Sequence, residues 1–303
     1  MPLVGFIDPS HSERKKTING RKPLWLPIDD MLGLALAEGP EWSPWSYELI
    51  QAVVKHHQER DYLSTSAITG GCMRGTVLER REDYVDSLDG RYASIRGTLV
   101  HRTMELAHRP GSLAEWRFWT DVHGMEFSCS PDLIVPNDGL LVDYKTTENP
   151  PDWSPYRHHS DQVQLNRWVV NNAKRWEAPD DHEPVDVQPQ FIDFKQLVLV
   201  YLGPKKPLQL VVQQSVDVRN TSGKGTHKRK QPYVWSDKQA LAYLEPRLEG
   251  LAMALASYPE WPEGLEEYPG FEGPAGWECP GPPLCWLTNT QCLAKRYPTG
   301  LVW

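Results

Sequence analysis

The sequence has no apolar run long enough to cross a membrane, and its first residues, Met-Pro-Leu-Val-Gly-Phe-Ile-Asp, lack a basic stretch followed by an apolar one. The first absence excludes a helical span and a membrane partner. The second speaks against a secretory signal, so a cytoplasmic protein is expected. Cysteine is scarce: five residues, an odd number, make a disulfide framework a poor reading. There is no internal repeat, and no helix-turn-helix or zinc-finger spacing that would supply a dedicated base-reading element. Positive charge is also in deficit. A net charge of −8 argues against a protein that coats nucleic acid. It leaves room for one that handles DNA in a local groove, because clustered active-site carboxylates themselves contribute negative charge.

What remains is ordinary for a globular chain: 303 residues, 40% hydrophobic and 24% charged, enough to bury a full core. The pattern predicts helices over 45–59, from Ser64 toward Arg74, over 97–107, over 161–176, and from Asp237 to about Ala256 with an interruption at Pro246. In the helix over 97–107, Leu99, Thr103 and Leu106 form one stripe, and His101 and Glu105 stack one turn apart. Between Glu115 and Tyr144 the period changes to two. A strand meander is expected there, with turns at His123-Gly124 and Pro136-Asn137-Asp138-Gly139. Strands follow at 196–202 and 208–218, then a Gly/Ser/Lys loop at 219–231. Three regions result: an N-terminal helical extension over 1–60, a core over 61–257, and a Pro/Gly-rich segment over 258–303. That last segment has little helix or strand propensity and needs a staple, which its three cysteines could supply.

The chemistry concentrates in Pro131 to Lys145. With the turn at Pro136–Gly139, Val135 pairs with Leu140, and continuing that register sets Asp132 opposite Asp143. Directly opposed residues share a face with Cβ atoms about 4.5–5.5 Å apart. Lys145, two residues on, points the same way. Two carboxylates so close repel unless a cation lies between them, and oxygen ligands of this kind suit Mg²⁺ or Mn²⁺. Taken alone, the same hairpin end is also compatible with a solvated Asp–Lys pair.

Pro131-Asp132 followed by Asp143-Tyr144-Lys145 resembles the PD-(D/E)XK nuclease superfamily. Gly97-Thr98-Leu99-Val100-His101 resembles the helix histidine of its RecB-like branch, and Gln164-Leu165-Asn166-Arg167-Trp168 that branch's Gln-x-x-x-Tyr motif, with Gln162 competing for the glutamine's place. Leu63-Ser64-Thr65-Ser66, Cys72 and Arg74 are similar to the N-terminal segment of the iron–sulfur members, which include CRISPR adaptation nucleases, AddB-type nucleases and phage exonucleases. The resemblance runs from about residue 62 to residue 292. It departs from the pattern at Cys129, where a glycine is usual, and at Trp168.

The resemblance implies an α/β fold with a restriction-endonuclease-like core: a central mixed β-sheet flanked by helices, with a cysteine-stapled C-terminal segment. It implies a metal held by His101, Asp132, Asp143 and the Tyr144 carbonyl, with Lys145 orienting or deprotonating the attacking water and Gln164 or Gln162 assisting. Glu105 and Glu115 are secondary candidates near His101. Cys72, Cys279, Cys285 and Cys292 would bind a [4Fe–4S] cluster, with zinc as the competing ligation, although Cys279 and Cys285 stand farther apart than in relatives. Lys224, Lys228, Arg229 and Lys230 would meet DNA phosphates. The function implied is metal-dependent hydrolysis of DNA, trimming from an end, with a helicase or a recombinase/annealing protein as a partner. An endonuclease on the same fold and an inactive DNA-binding or assembly subunit are the alternatives.

Overall fold

The computed structural model describes residues 3–7, 25–38, 45–56, 63–70, 73–81, 84–86, 88–107, 109–179, 187–203, 206–219, 226–258 and 264–269. Cys72, Cys279, Cys285, Cys292 and Lys224 lie outside them, as does nearly all of the Pro/Gly-rich segment. In chain order the elements are β1 (Leu3–Ile7), β2 (Trp25–Pro27), α1 (Ile28–Ala37), α2 (Tyr47–His56), β3 (Leu63–Ser64), α3 (Thr65–Gly70), α4 (Met73–Arg81), β4 (Tyr84–Asp86) and α5 (Leu88–Leu106). There follow β5 (Leu113–Ala114), β6 (Arg117–Val122), β7 (Met125–Cys129), β8 (Leu133–Val135), β9 (Leu140–Thr146), α6 (Arg157–Asn171), β10 (Arg175–Glu177), β11 (Gln196–Leu202), β12 (Pro207–Val211), β13 (Gln213–Arg219), β14 (Thr226–Pro232) and α7 (Asp237–Ser257). No helix among the described residues is long and apolar enough to cross a membrane.

The chain divides into two compact units, one comprising 1–61, 71–98 and 249–303, the other 62–70 and 99–248. In the first, β2, β1 and β4 form a small sheet. Met31 and Ala35 of α1 and Ile50 and Val53 of α2 meet Leu88 in an apolar cluster.

The second unit has an α/β architecture built on mixed β-sheets with helices packed against them. Its main sheet has the order β12-β11-β9-β8-β5, with β11 parallel to β9 and the other pairs antiparallel. A second sheet runs β10-β6-β7-β3. The β6–β7 hairpin closes through His123 (φ 52°) and Gly124 (φ 78°), the double left-handed geometry of a tight hairpin turn. Between β8 and β9, Gly139 takes φ 62°, and a Cβ there would run into the Asp193 carbonyl. Its own carbonyl accepts hydrogen bonds from Lys195 N (2.7 Å) and Gln196 N (3.2 Å), which seats β11 beside β9. Only glycine combines that conformation with that approach.

Helix α6 packs against β6, β7, β9 and β11. Every residue from Val163 to Val170 is buried, so it is a central helix with no solvent face along that stretch. Several of its buried polar groups are partnered across the fold. Asn166 Oδ1 accepts from Thr65 Oγ1 at 2.5 Å, and Arg167 pairs with Asp237 at 2.8 Å and donates to the Trp235 carbonyl.

Two expectations need correction. The stretch read as a loop at 219–231 contributes a strand: β14 pairs antiparallel with β13, so Lys228, Arg229 and Lys230 stand on a two-stranded ribbon, all exposed. The Leu99/Thr103/Leu106 stripe of α5 is exposed, Leu99 at 64% and Leu106 at 73%. The inward face instead carries His101, Met104 and buried Glu105.

A candidate metal centre

The β8–β9 hairpin has the expected register, Val135↔Leu140, Ile134↔Leu141 and Leu133↔Val142. One further step sets Asp132 beside Asp143. On the other edge of β8, Leu113↔Ile134 and Ala114↔Leu133 set the register of β5, and the next step brings Glu115 beside Asp132, with Glu115 N donating to the Asp132 carbonyl at 3.3 Å. Glu115, Asp132 and Asp143 therefore form a row at one level across three strands. Asp132 and Asp143 are buried, at 6% and 2% exposure.

Helix α5 lowers His101 onto this row. Its Nδ1 lies 3.2 Å from Asp132 Oδ1 and 3.6 Å from Glu115 Oε1. Its Nε2 lies 3.0 Å from the Tyr144 carbonyl. With Nε2 turned to a backbone carbonyl, Nδ1 is the ring nitrogen left facing the carboxylates, the orientation that outer hydrogen bonds impose on metal-binding imidazoles. The Tyr144 carbonyl, expected as a ligand, is thus engaged by His101. Tyr144 N donates to Asp132 Oδ2 and fixes that carboxylate in turn.

Donor atoms of His101, Glu115 and Asp132 all lie within 4.8 Å of one another, a part-buried cluster able to hold a metal ion. Asp143 is not part of that cluster; it stands 2.7 Å from Lys145 Nζ. Lys145 Nζ in turn donates to Gln162 Oε1 at 2.9 Å. Gln164 faces elsewhere. Its amide donates to the Tyr233 carbonyl (2.9 Å) and accepts from Trp235 N (2.8 Å), splinting that backbone as a neighbouring strand would. Of the two glutamines, Gln162 is the one at the site. Glu105 is buried and paired with Arg102 at 2.6 Å.

The electrostatics record the crowding. Burial, then the charge of Asp132, push the Glu115 carboxyl up to about 8, against the pull of His101. Burial, opposed by Lys145 and reinforced by Asp132, raises Asp143 to about 6. Burial disfavours a charged His101, but the hydrogen bond to Asp132 and the charges of Asp132, Glu115 and Asp143 outweigh it and raise the imidazole to about 9. Burial likewise disfavours the Lys145 ammonium, and Asp143 and Asp132 more than compensate, so its affinity for the proton rises. The row attracts cations, and His101 and Lys145 are the side chains that answer it.

A divalent metal fits the donor set. Two carboxylates and an imidazole nitrogen converge, and the buried Glu115 Oε1 has no hydrogen-bond partner among the described residues. Glu115 also adopts φ 57°, a left-handed conformation rare outside glycine, with its carbonyl held by Ser130 Oγ at 3.0 Å. Strain of this kind persists where surrounding structure over-determines it, typically at functional sites. On sequence alone Glu115 has only a supporting place, since no motif marks it and its conformation is invisible in one dimension.

Cys129 is buried and forms no disulfide. No protein-family model matches the chain, and no curated protein matches it. Among solved structures, one described as "Crystal structure of SSO0001" matches 67% of this chain and 82% of that chain, at 14% identity and a TM-score of 0.40.

Proposed function

We propose that this chain is a Mg²⁺- or Mn²⁺-dependent deoxyribonuclease of the PD-(D/E)XK type on a restriction-endonuclease-like core, trimming DNA from an end. The observation that carries the reading is the placement of the Lys145 ammonium, 2.7 Å from Asp143, alongside the His101/Glu115/Asp132 cluster. A cation held by two carboxylates and a histidine beside a buried, fixed ammonium suits the hydrolysis of a phosphate ester.

In this mechanism His101, Glu115 and Asp132 would hold the metal, and Asp143 holds Lys145. A bound divalent ion would lower the pKa of its water and offset charge on the phosphate. Lys145, held by Asp143, would orient the attacking water and stabilise charge growing on the phosphate. Gln162 accepts one of its hydrogens and limits the directions it can point. Lys228, Arg229 and Lys230 on the exposed ribbon supply phosphate contacts away from the site. An inactive assembly subunit would have no need of a complete carboxylate row with a lysine locked beside it.

The proposal extends to Cys72, Cys279, Cys285 and Cys292 as ligands of one [4Fe–4S] cluster, on the strength of the resemblance. Protein purified without oxygen should be brown and bleach on reduction. A colourless protein with bound zinc would assign zinc instead, and a colourless, metal-free one would refute both.

The function itself is tested with end-labelled single- and double-stranded DNA in Mg²⁺, Mn²⁺ or chelator. Label should be released only with metal, and not by Asp132→Ala or Lys145→Ala. Release in chelator, or by either variant at the normal rate, would refute the proposal.

A further inference from the structure

The connection between β9 and α6 carries aromatic side chains that the hydrolytic site does not use. Trp153 is 78% exposed and Tyr156 is 38% exposed. The Tyr156 ring stacks on His158, also exposed, with centroids 5.9 Å apart and planes 13° from parallel. Beneath them Tyr201 is fully buried. It meets Tyr156 edge-on at 5.8 Å, and its hydroxyl lies 3.1 Å from His159 Nδ1 and accepts from Tyr156 N at 3.1 Å.

Two independent relations tie this group to the site. Tyr201 is the register partner of Lys145 on the adjacent parallel strand, so the two side chains share a face of the sheet. His158 is one helical turn, about 5.4 Å along the axis, before Gln162, whose side chain holds Lys145. His158, with Tyr156 stacked on it, therefore stands one turn of α6 from the residue that holds the lysine. Their character suits stacking. Desolvation, and then the charge of Lys145 reaching it, disfavour the protonated form of His158. Arg157, between the two stacked rings in sequence, has a side chain 92% exposed, with its Nε 3.9 Å from Asp161 Oδ2.

We infer that Tyr156 and His158, with Trp153 on the loop before them, form a platform on which unpaired bases of single-stranded DNA stack as the strand enters the metal site. Tyr201 and His159 support the rings from below, and Arg157 supplies the charge that a strand's phosphates require. A platform that holds a base by its face, without reading its edge, captures a strand whatever its sequence. The inference rests on the deoxyribonuclease reading for its location but makes a separate claim about binding.

The test uses the full chain with Ca²⁺ in place of Mg²⁺, and a short fluorescein-labelled oligo-dT read by anisotropy. Trp153→Ala and His158→Ala should each weaken binding by about ten-fold, the usual scale of removing one ring from beneath a base. Trp153→Phe should restore most of that affinity. An oligonucleotide with abasic sites near its end should bind the wild type weakly and be indifferent to Trp153→Ala. A 2-aminopurine placed there should be quenched by the wild type and not by the alanine variants. Equal binding of abasic and normal strands, or alanine variants that bind and quench like the wild type, would overturn the platform. A chain that shows base-dependent binding but never cuts DNA in Mg²⁺ or Mn²⁺ would refute the nuclease reading and leave the platform standing.

Discussion

Metal binding at this centre should be coupled to proton release, and the direction follows from the metal-free charges. With no ion present, His101 is raised to about 9 and Glu115 to about 8, so near neutral pH both carry protons that a metal must displace. Each proton displaced makes the apparent affinity rise about ten-fold per pH unit. Mn²⁺ binding should therefore tighten by at least about ten-fold per unit between pH 6 and 8 and approach about a hundred-fold if both protons leave. The stability of the metal-free protein runs the other way. Between about pH 4.5 and 9 the folded state holds more protons than the unfolded one, since Glu115 is raised from 4.5 to about 8 and His101 from 6.5 to about 9, so stability falls as pH rises through that window. The stabilisation by Mn²⁺ over chelator should accordingly widen with pH. Calorimetric titration in two buffers of different ionisation enthalpy counts the protons, and thermal melts with Mn²⁺ or chelator follow the stability. Affinity that does not change with pH over this range, with no proton released, would refute the assignment of His101 and Glu115 as ligands.

The two glutamines of α6 separate by readout. Gln162→Ala should lower kcat by about ten-fold or more, the scale of removing a hydrogen bond to a charged group, with KM and melting temperature nearly unchanged. Gln164→Ala should instead lower stability by about 1–3 kcal/mol for each buried backbone group left without a partner, measured by chemical denaturation. A Gln164→Ala variant that melts normally but loses activity would reverse these roles. Lys145→Ala leaves Asp143 buried without its cation, so metal-free Asp143 should titrate above its present value of about 6, as followed by carboxyl NMR. Replacing Lys228, Arg229 and Lys230 together by Ser should flatten the salt dependence of DNA binding, by about 0.7–0.9 in slope for each phosphate no longer neutralised, and leave Mn²⁺ affinity unchanged. An unaltered slope would show that the ribbon does not touch DNA.

The parts of this site that the sequence discloses are those governed by local rules. The Pro136–Gly139 turn sets one hairpin register, and strict alternation from it places Asp132, Asp143 and Lys145 on one face. Strand β11 emerges at Gln196–Leu202 because its composition is strongly β-forming. Three features resist such reading, each for a definite reason. Glu115 joins the row through the pairing of β5 with β8, a short ladder between segments distant in sequence, and through a left-handed backbone that no residue type announces. The start of α6 at Arg157 has no side-chain cap, so the helix lacks the signature that would have set its beginning before Asp161. The choice between Gln162 and Gln164 depends on the rotation of α6 about its axis. A helix buried on every side from Val163 to Val170 has no apolar stripe to fix that rotation.

That same burial explains how the centre is held. Residues two apart on a helix point to nearly opposite sides, so the α6 that presents Gln162 to Lys145 must present Gln164 to the Tyr233–Trp235 backbone. One helix thus locks the lysine on one side and the chain leading into α7 on the other, and any rotation that improved one contact would break the other. The carboxylate row is set by the sheet in the same way. Its members stand on adjacent strands, about 4.8 Å apart, with side chains on one face. Donors on opposite sides of a Mg²⁺ ion lie about 4 Å apart at its usual ligand distances. Ordinary strand spacing therefore brings Glu115 and Asp132 close to the separation a small hard cation requires, and His101 reaches them from α5, with donor atoms within 4.8 Å. The spacing of the two carboxylates is in this sense a property of the β-sheet, and the left-handed backbone at Glu115 is the local cost of bringing it level with Asp132.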